Sequence, residues 1–221
     1  MGALLVLALL VVGGPYTYIH FIEGKAPSRL KLADPPAGGT APTTPSNVPL
    51  DGTWKVAAGS QAGYRVKEVL FGQSNEAVGR TSNVTGSLQI GGTSVSAATF
   101  TVDMASVKSD QSRRDGQFSG RIMDVASFPT ATFALTKPIE LGSAPADGVT
   151  QTVPAEGQLT ARGVTKPVHF TVTARRTGGG ITVSGSVPVV FADWSIPNPS
   201  FAGITTEDHG VIEFLLNFAH A

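Results

Sequence analysis

Residues 109–133 read SDQSRRDGQFSGRIMDVASFPTATF, the one helix-like segment in a chain otherwise patterned as strands. Ser109 or Asp110 is placed to cap a helix, Asp115 puts a carboxylate in its early turns, and Phe118 and Ile122 fall four apart on one face. That face needs a surface to cover, so the segment predicts a single helix laid against or across the mouth of a sheet-built body, as a lid or a plug. Pro129 is expected to end the helix. In the TATFAL that follows, Ala131, Phe133 and Leu135 alternate with Thr130, Thr132 and Ala134 at the strand period.

Outward from this segment, strand-like runs recur at 53–57, 62–70, 76–90, 94–104, 130–136, 149–161, 164–175, 180–191 and 211–218. Between them stand Gly91-Gly92, Asp147-Gly148, Arg162-Gly163 and Gly178-Gly179-Gly180, residues suited to turns with positive φ. Several connections are hairpin-short, which predicts antiparallel pairing between sequence neighbours. Alternation assigns apolar faces to Ala98, Phe100, Val102 and Met104, to Val168, Phe170, Val172 and Ala174, and to Ile212, Phe214, Leu216 and Phe218. Thr99, Thr101, Asp103, His169, Thr171 and Thr173 face the other way. Eight or more such strands with one helix between them must stack as two sheets or close into a barrel, because an open sheet would leave an apolar face wet and its edges unpaired. A barrel can hold a small apolar ligand, whereas a sandwich fills its interior with side chains.

Composition narrows the function. Sixteen Lys and Arg balance sixteen Asp and Glu, without the basic excess that nucleic-acid backbones select for, so no nucleic-acid partner is expected. The chain has no cysteine, which removes disulfides, thiolate nucleophiles and soft metal ligands. No Gly-x-Ser-x-Gly elbow, phosphate loop or His-Glu-x-x-His motif is present. Glu207, Asp208 and His209 are adjacent, but neighbours on an extended chain point to opposite faces, so no metal site is expected there. Asn83-Val84-Thr85 has the form of a glycosylation acceptor, yet it falls inside an expected strand.

The first 23 residues are apolar apart from a few positions, with Tyr16, Tyr18 and Phe21 gathered at the far end. About 20 such residues can cross a hydrocarbon core, so 1–23 is read as a transmembrane anchor, with a cleaved signal peptide and a buried core element as alternatives. Residues 24–50 are rich in proline and glycine and read as a linker, leaving 51–221 as the folded domain.

Three segments together resemble the YceI-like family of lipid- or polyisoprenoid-binding proteins. They are SRRDGQFSGRIMDVASFPTATF, then GQLTARGVTKPVHF at 157–170, then FADWSI at 191–196. The membrane segment and Pro-rich spacer are similar to an actinobacterial form of that family. Where many members carry a His on the first long strand, this chain has Lys67, Glu68, Val69, Leu70 and Phe71. The resemblance implies an all-β fold, an extended lipocalin-like antiparallel β-barrel with one short helix, preceded here by the transmembrane helix and linker. It implies binding of a long apolar lipid, an isoprenoid of polyprenyl or quinone type or a fatty-acyl chain, with no catalytic residues and no cofactor.

The expected wall residues are Val66, Phe100, Val102, Phe118, Met123, Phe128, Phe133, Leu159, Phe170, Val172, Val189, Phe191, Trp194 and Phe214, with Met123 and Phe128 nearest a portal. Ordinary core packing would use the same residues, and alternation does not separate a filled interior from a hollow one. Arg113, Arg114 and Asp115 could hold a ligand head group or gate the opening, or could instead form an Arg-Asp pair that orients the helix. Asp193 is expected to hold a turn or pair with an arginine. The expected location is the cell envelope, anchored outside the cytoplasm. Association into a homodimer is left open. The rival readings are a packed β-domain for protein contacts at the cell surface and an enzyme acting on lipid-linked substrates.

Overall fold

The computed structural model describes residues 26–33, 47–70, 72–200 and 204–221. Within them the alternating runs become twelve strands: β1 Gly52–Val56, β2 Gln61–Leu70, β3 Gln73–Thr81, β4 Val84–Gly91, β5 Ser94–Asp103, β6 Thr130–Leu135, β7 Ile139–Glu140, β8 Thr150–Ala161, β9 Val164–Thr177, β10 Gly180–Val190, β11 Ile204–Thr206 and β12 His209–His220. The order β1-β4-β5-β6-β8-β9-β10-β12 returns to β1 through the β1–β12 pairing, so eight antiparallel strands close into a barrel. Closure removes the unpaired edges that an open sheet would present.

One strand makes the closure. The last residues of β12 pair with β1, while Val211–Leu215 pair with β2. Between these partners the chain turns at Ala57–Ser60, where the Ser60 hydroxyl donates to the Ala57 carbonyl at 2.7 Å and accepts from the Asn217 N–H at 3.0 Å. Above this point β2 pairs with its hairpin partner β3 and, at Glu68–Leu70, with β11, while Arg80 is bridged to Lys108. The Leu70 end of β2 is called the upper end below.

The run expected at 76–90 is two strands, not one. Ser82 and Asn83 form the turn, with the Asn83 N–H donating to Thr81 Oγ1 at 2.9 Å, a side-chain substitute for a backbone turn bond. Asn83 thus sits in a turn rather than in a strand. β7 and β11 are too short to show an alternation in the sequence.

The helical segment also differs from expectation. Its α-helix, α1, is only Ser112–Gln117, with Gln111 at the N-cap rather than Ser109 or Asp110. Ser109 instead donates through its N–H and hydroxyl to Asp115 at 2.8 and 2.7 Å, tying down the approach to the helix. From Phe118 to Ile122 the helix widens into a π-turn, with the Met123 N–H reaching back five residues to the Phe118 carbonyl at 2.9 Å. The chain then leaves the helix at Asp124, whose φ of 47° is left-handed. Gly116 and Gly120 weaken a continuous helix, and the turn is over well before Pro129. Pro129 has a different job: its carbonyl accepts from the Met104 N–H at 3.0 Å and docks the start of β6.

No helix among the described residues is long and apolar enough to cross a membrane, and the expected span at 1–23 lies outside them. Within the segment read as linker, residues 26–33 lie against the barrel wall as a strap. Beneath the strap, on the outer face of β2, β3 and β12, is a cluster of buried charges. Arg65 pairs with Glu213 at 3.2 Å and with Glu76 at 2.7 Å, while Arg80 reaches Glu213 at 2.7 Å. Arg65 and Glu213 are 3% and 2% exposed, so each removes the other's desolvation penalty only while both are present. Burial disfavours the Arg65 charge, but its hydrogen bonds with Glu213 and Glu76 outweigh that and raise its pKa. Glu213→Ala is therefore expected to destabilise the fold by about 3–5 kcal/mol in urea unfolding, because it strands a buried guanidinium. A loss comparable to that of an exposed ion pair, below about 1 kcal/mol, would show that the cluster carries no such weight.

Candidate functional site

The inward faces of the strands enclose space instead of filling it. An upper chamber of about 500 Å³ lies under α1 and the π-turn, walled by Tyr64, Val66, Leu70, Met104, Val107, Phe118, Ile122, Met123, Val189 and Phe191. A lower chamber of about 200 Å³ is walled by Leu88, Ile90, Phe100, Phe133, Leu135, Leu159, Phe170, Val172, Ile181 and Phe214. Ala62, Val102, Ala131 and Ile212 line both, and so form a waist between them. Two of these four are alanines. The upper chamber is of the size that binds small apolar molecules.

The hollow has an identifiable cause. Tyr64 stands opposite Gly79, Phe100 opposite Gly86 and Phe214 opposite Gly185, while Phe133 lies diagonally across from Gly157. A Cβ built on each of these glycines would meet the aromatic side chain at 2.3 Å for Gly79 and Gly157, 2.6 Å for Gly185 and 2.7 Å for Gly86. Each ring is therefore laid flat over its glycine, along the wall, where a side chain on the neighbouring strand would have tipped it toward the centre. The rings also contact one another around the lower chamber: Phe100 with Phe133 at 6.3 Å, Phe133 with Phe170 at 5.5 Å, and Phe170 with Phe214 at 6.0 Å between centroids. A belt of mutually supporting rings is a firm lining.

A polar cluster lies at the upper end. Glu68, on the inward face of β2, is 7% exposed and accepts from Arg114 at 3.1 Å and from the Asn75 amide at 2.9 Å. Arg114 also pairs with Asp110, one helical turn earlier. Its charge is thus shared between two carboxylates. Tyr64 stacks on Phe118, with centroids 5.0 Å apart and planes at 14°. Burial pushes its phenol above the ordinary value, with the Arg114 charge acting in the opposite direction, so Tyr64 lines the chamber as a neutral phenol. Arg113, Gln111 and Gln117 complete the upper lining, and because Arg113 is exposed the chamber opens beside α1.

A family model for YceI-like domains matches residues 54–218, three-quarters of the chain and every strand of the barrel. The chain belongs to the YceI-like family. Among solved structures it is similar to a polyisoprenoid-binding domain from Saccharophagus degradans implicated in plant cell wall breakdown, at 17% identity over 77% of this chain and 99% of that one, with a TM-score of 0.63. It is also similar to BcnA of Burkholderia cenocepacia, at 22% identity over 73% of this chain and 98% of that one, with a TM-score of 0.59. At these identities the likeness is one of fold. No curated protein sequence matches the chain.

Within this YceI-like barrel, twelve of the fourteen expected wall residues line a chamber. Val66, Phe118, Met123, Val189 and Phe191 are in the upper one, Phe100, Phe133, Leu159, Phe170, Val172 and Phe214 in the lower, and Val102 is at the waist. Phe128 and Trp194 line neither. Phe128 packs outside, over Gly163 and under the Arg162 guanidinium, so of the two residues expected nearest a portal only Met123 lines a chamber. Trp194 is buried where β9 and β10 part above Val172 and Gly185, its Nε1 donating to the Leu159 carbonyl at 3.3 Å, and it plugs the wall without lining the cavity. Arg113 and Arg114 line the upper chamber, whereas Asp115 is committed to Ser109. Asp193 pairs with Lys166 at 3.5 Å, not with an arginine.

His169 points outward beside Glu156, and His209 is exposed. The Glu207, Asp208 and His209 side chains do come together, at 3.3 and 2.8 Å, because the bend between β11 and β12 undoes the strand alternation. Hydrogen bonding from His209 lowers the Asp208 pKa. Among the described residues no cluster has the makings of a metal site, and no histidine or serine lines either chamber.

Sequence reasoning missed Glu68 as a site residue. The signal was available, since Glu68 interrupts the inward series Tyr64, Val66, Leu70, where an ionised side chain is costly unless partnered.

Gly185→Ala should fold but push the Phe214 ring into the lower chamber. Overpacking of this kind costs roughly 1–3 kcal/mol. The expected readout is weaker uptake of a fluorescent long-chain fatty acid with an unchanged circular dichroism spectrum. Unaltered uptake would show that the ring position does not set the hollow.

Proposed function

We propose that the protein binds and carries a long, single-chain apolar lipid, an isoprenoid or fatty-acyl chain, threaded from the upper chamber through the waist into the lower. The observation that carries this reading is the pair of adjacent apolar chambers that share Ala62, Val102, Ala131 and Ile212 as lining. Each methylene moved from water into such a lining contributes roughly 0.8 kcal/mol, so a chain of about ten outweighs any single polar contact. The similarity to a polyisoprenoid-binding domain supports an isoprenoid as the chain. At the upper end Arg114 is already balanced by Glu68 and Asp110, an arrangement suited to an uncharged head group such as a quinone or alcohol in preference to a diphosphate. Among the described residues no histidine or serine lines the chambers, which supports binding in preference to catalysis. The apolar segment at 1–23 supports a protein anchored at a membrane.

Native mass spectrometry of the protein extracted gently from its own cells should show a bound lipid. An empty barrel that also takes up no quinone, polyprenol or fatty acid would remove the proposal.

Ala131→Trp, at the waist, separates threading from surface adsorption. Chains short enough for one chamber should bind as before, and chains that need both should lose affinity. Equal binding of long chains by the variant would mean that the lower chamber is not used.

A further inference from the structure

Residues 26–33 lie outside the family domain, which the matching model begins at Trp54. They are nevertheless fastened to it. The Arg65 guanidinium donates to the Pro27 carbonyl at 2.7 Å, Arg80 donates to the Ser28 carbonyl, and Arg29 pairs with Glu76 at 3.6 Å. Farther on, the Leu32 N–H donates to the buried Ser184 hydroxyl at 3.3 Å, the Leu32 side chain is 9% exposed, and Arg175 donates to the Ala33 carbonyl at 2.7 Å. The strap therefore crosses from β3 and β2 over β12 to β10 and β9.

Its direction follows from the strand register. Arg65 lies level with Val211, and Val211 with Pro188. Ser184 is four residues below Pro188 on β10, and Arg175 pairs with Thr182, lower again. Strands rise about 3.3 Å per residue, so between its Pro27 and Ala33 contacts the strap moves away from the upper end. Its Ala26 end is the end nearer the mouth. A second observation lies at the same end: of the three large hydrophobic residues exposed among those described, Val69 is near the top of β2 and Val190 at the top of β10, at 41% and 47% exposure. Only Val149 is at the opposite end.

We propose that the strap orients the barrel with its upper mouth against a lipid bilayer, so that a lipid passes between membrane and chamber without crossing water. This rests on the reading of residues 1–23 as a membrane anchor. The strap makes the anchored end leave the barrel on the mouth side, and Val69 and Val190 present apolar surface there.

The chain has no cysteine, so single-cysteine labelling tests this in the full-length protein. Val190→Cys at the mouth and Thr177→Cys at the far end would each carry a fluorophore, with the protein reconstituted into phosphatidylcholine and phosphatidylglycerol vesicles containing nitroxide-labelled lipid. Quenching at position 190 and none at 177 is the expected result. Equal quenching at both, or stronger quenching at 177, in protein that floats with the vesicles overturns the orientation and leaves the anchor standing. Protein that does not float with vesicles overturns the anchor reading and this inference with it, while chamber binding is tested separately. Leu32→Asp, which releases the strap from β10, should abolish the difference between the two positions. A difference that persists in this variant would show that the strap is not what sets the orientation.

Discussion

The interior of this barrel depends on rings lying on glycines. An aromatic side chain on an inward face has two places to go, toward the barrel axis or along the wall. A neighbouring strand with a side chain opposite leaves only the first. Gly79, Gly86, Gly157 and Gly185 leave room for the second, and Tyr64, Phe100, Phe133 and Phe214 take it. Two buried clusters, one around each chamber, then form as linings whose middle is open. The apolar area of the walls stays packed ring against strand, so the stability of the sheet and the emptiness of its centre are compatible.

The charges show the same division between wall and interior. The most deeply buried ions, Arg65 and Glu213, are on the outside of the barrel under the strap, away from the cavity. Glu68, on an inward position of β2, is at the mouth, where it is paired with Arg114 and accepts a hydrogen bond from Asn75. Everything below the waist is lined chiefly by hydrocarbon, with Arg175 and Arg176 near the far end. Hydrogen-bonding groups therefore cluster at the mouth, and an apolar lining follows below them.

Much of this architecture was readable from period alone. Alternation of Ala98, Phe100 and Val102 and of Val168, Phe170 and Val172 specifies an inward face because side chains two apart share a side of any strand. It served less well where local chemistry bends the chain: the Thr81 hydroxyl turns β3 into β4, and two glycines and a left-handed Asp124 cut the helix short. Phe128 and Trp194 were read as wall because they are large and apolar. The parting of β9 from β10 gave Trp194 a gap to fill, and the Gly163 turn gave Phe128 a seat outside.

The amino-acid sequence by itself determined an antiparallel, apolar-faced body with one short helical insert, because strand period, turn residues and hydrophobicity are local properties, while its closure rests on the long-range pairing of β1 with β12. Only the tertiary structure decided that the body is hollow, that Glu68 meets Arg114 and that residues 26–33 bind the outer wall. Each of these depends on which residue of a distant strand stands opposite another. A glycine 15 residues along from Tyr64, or 29 before Phe214, has no meaning for the cavity until the register brings the two together.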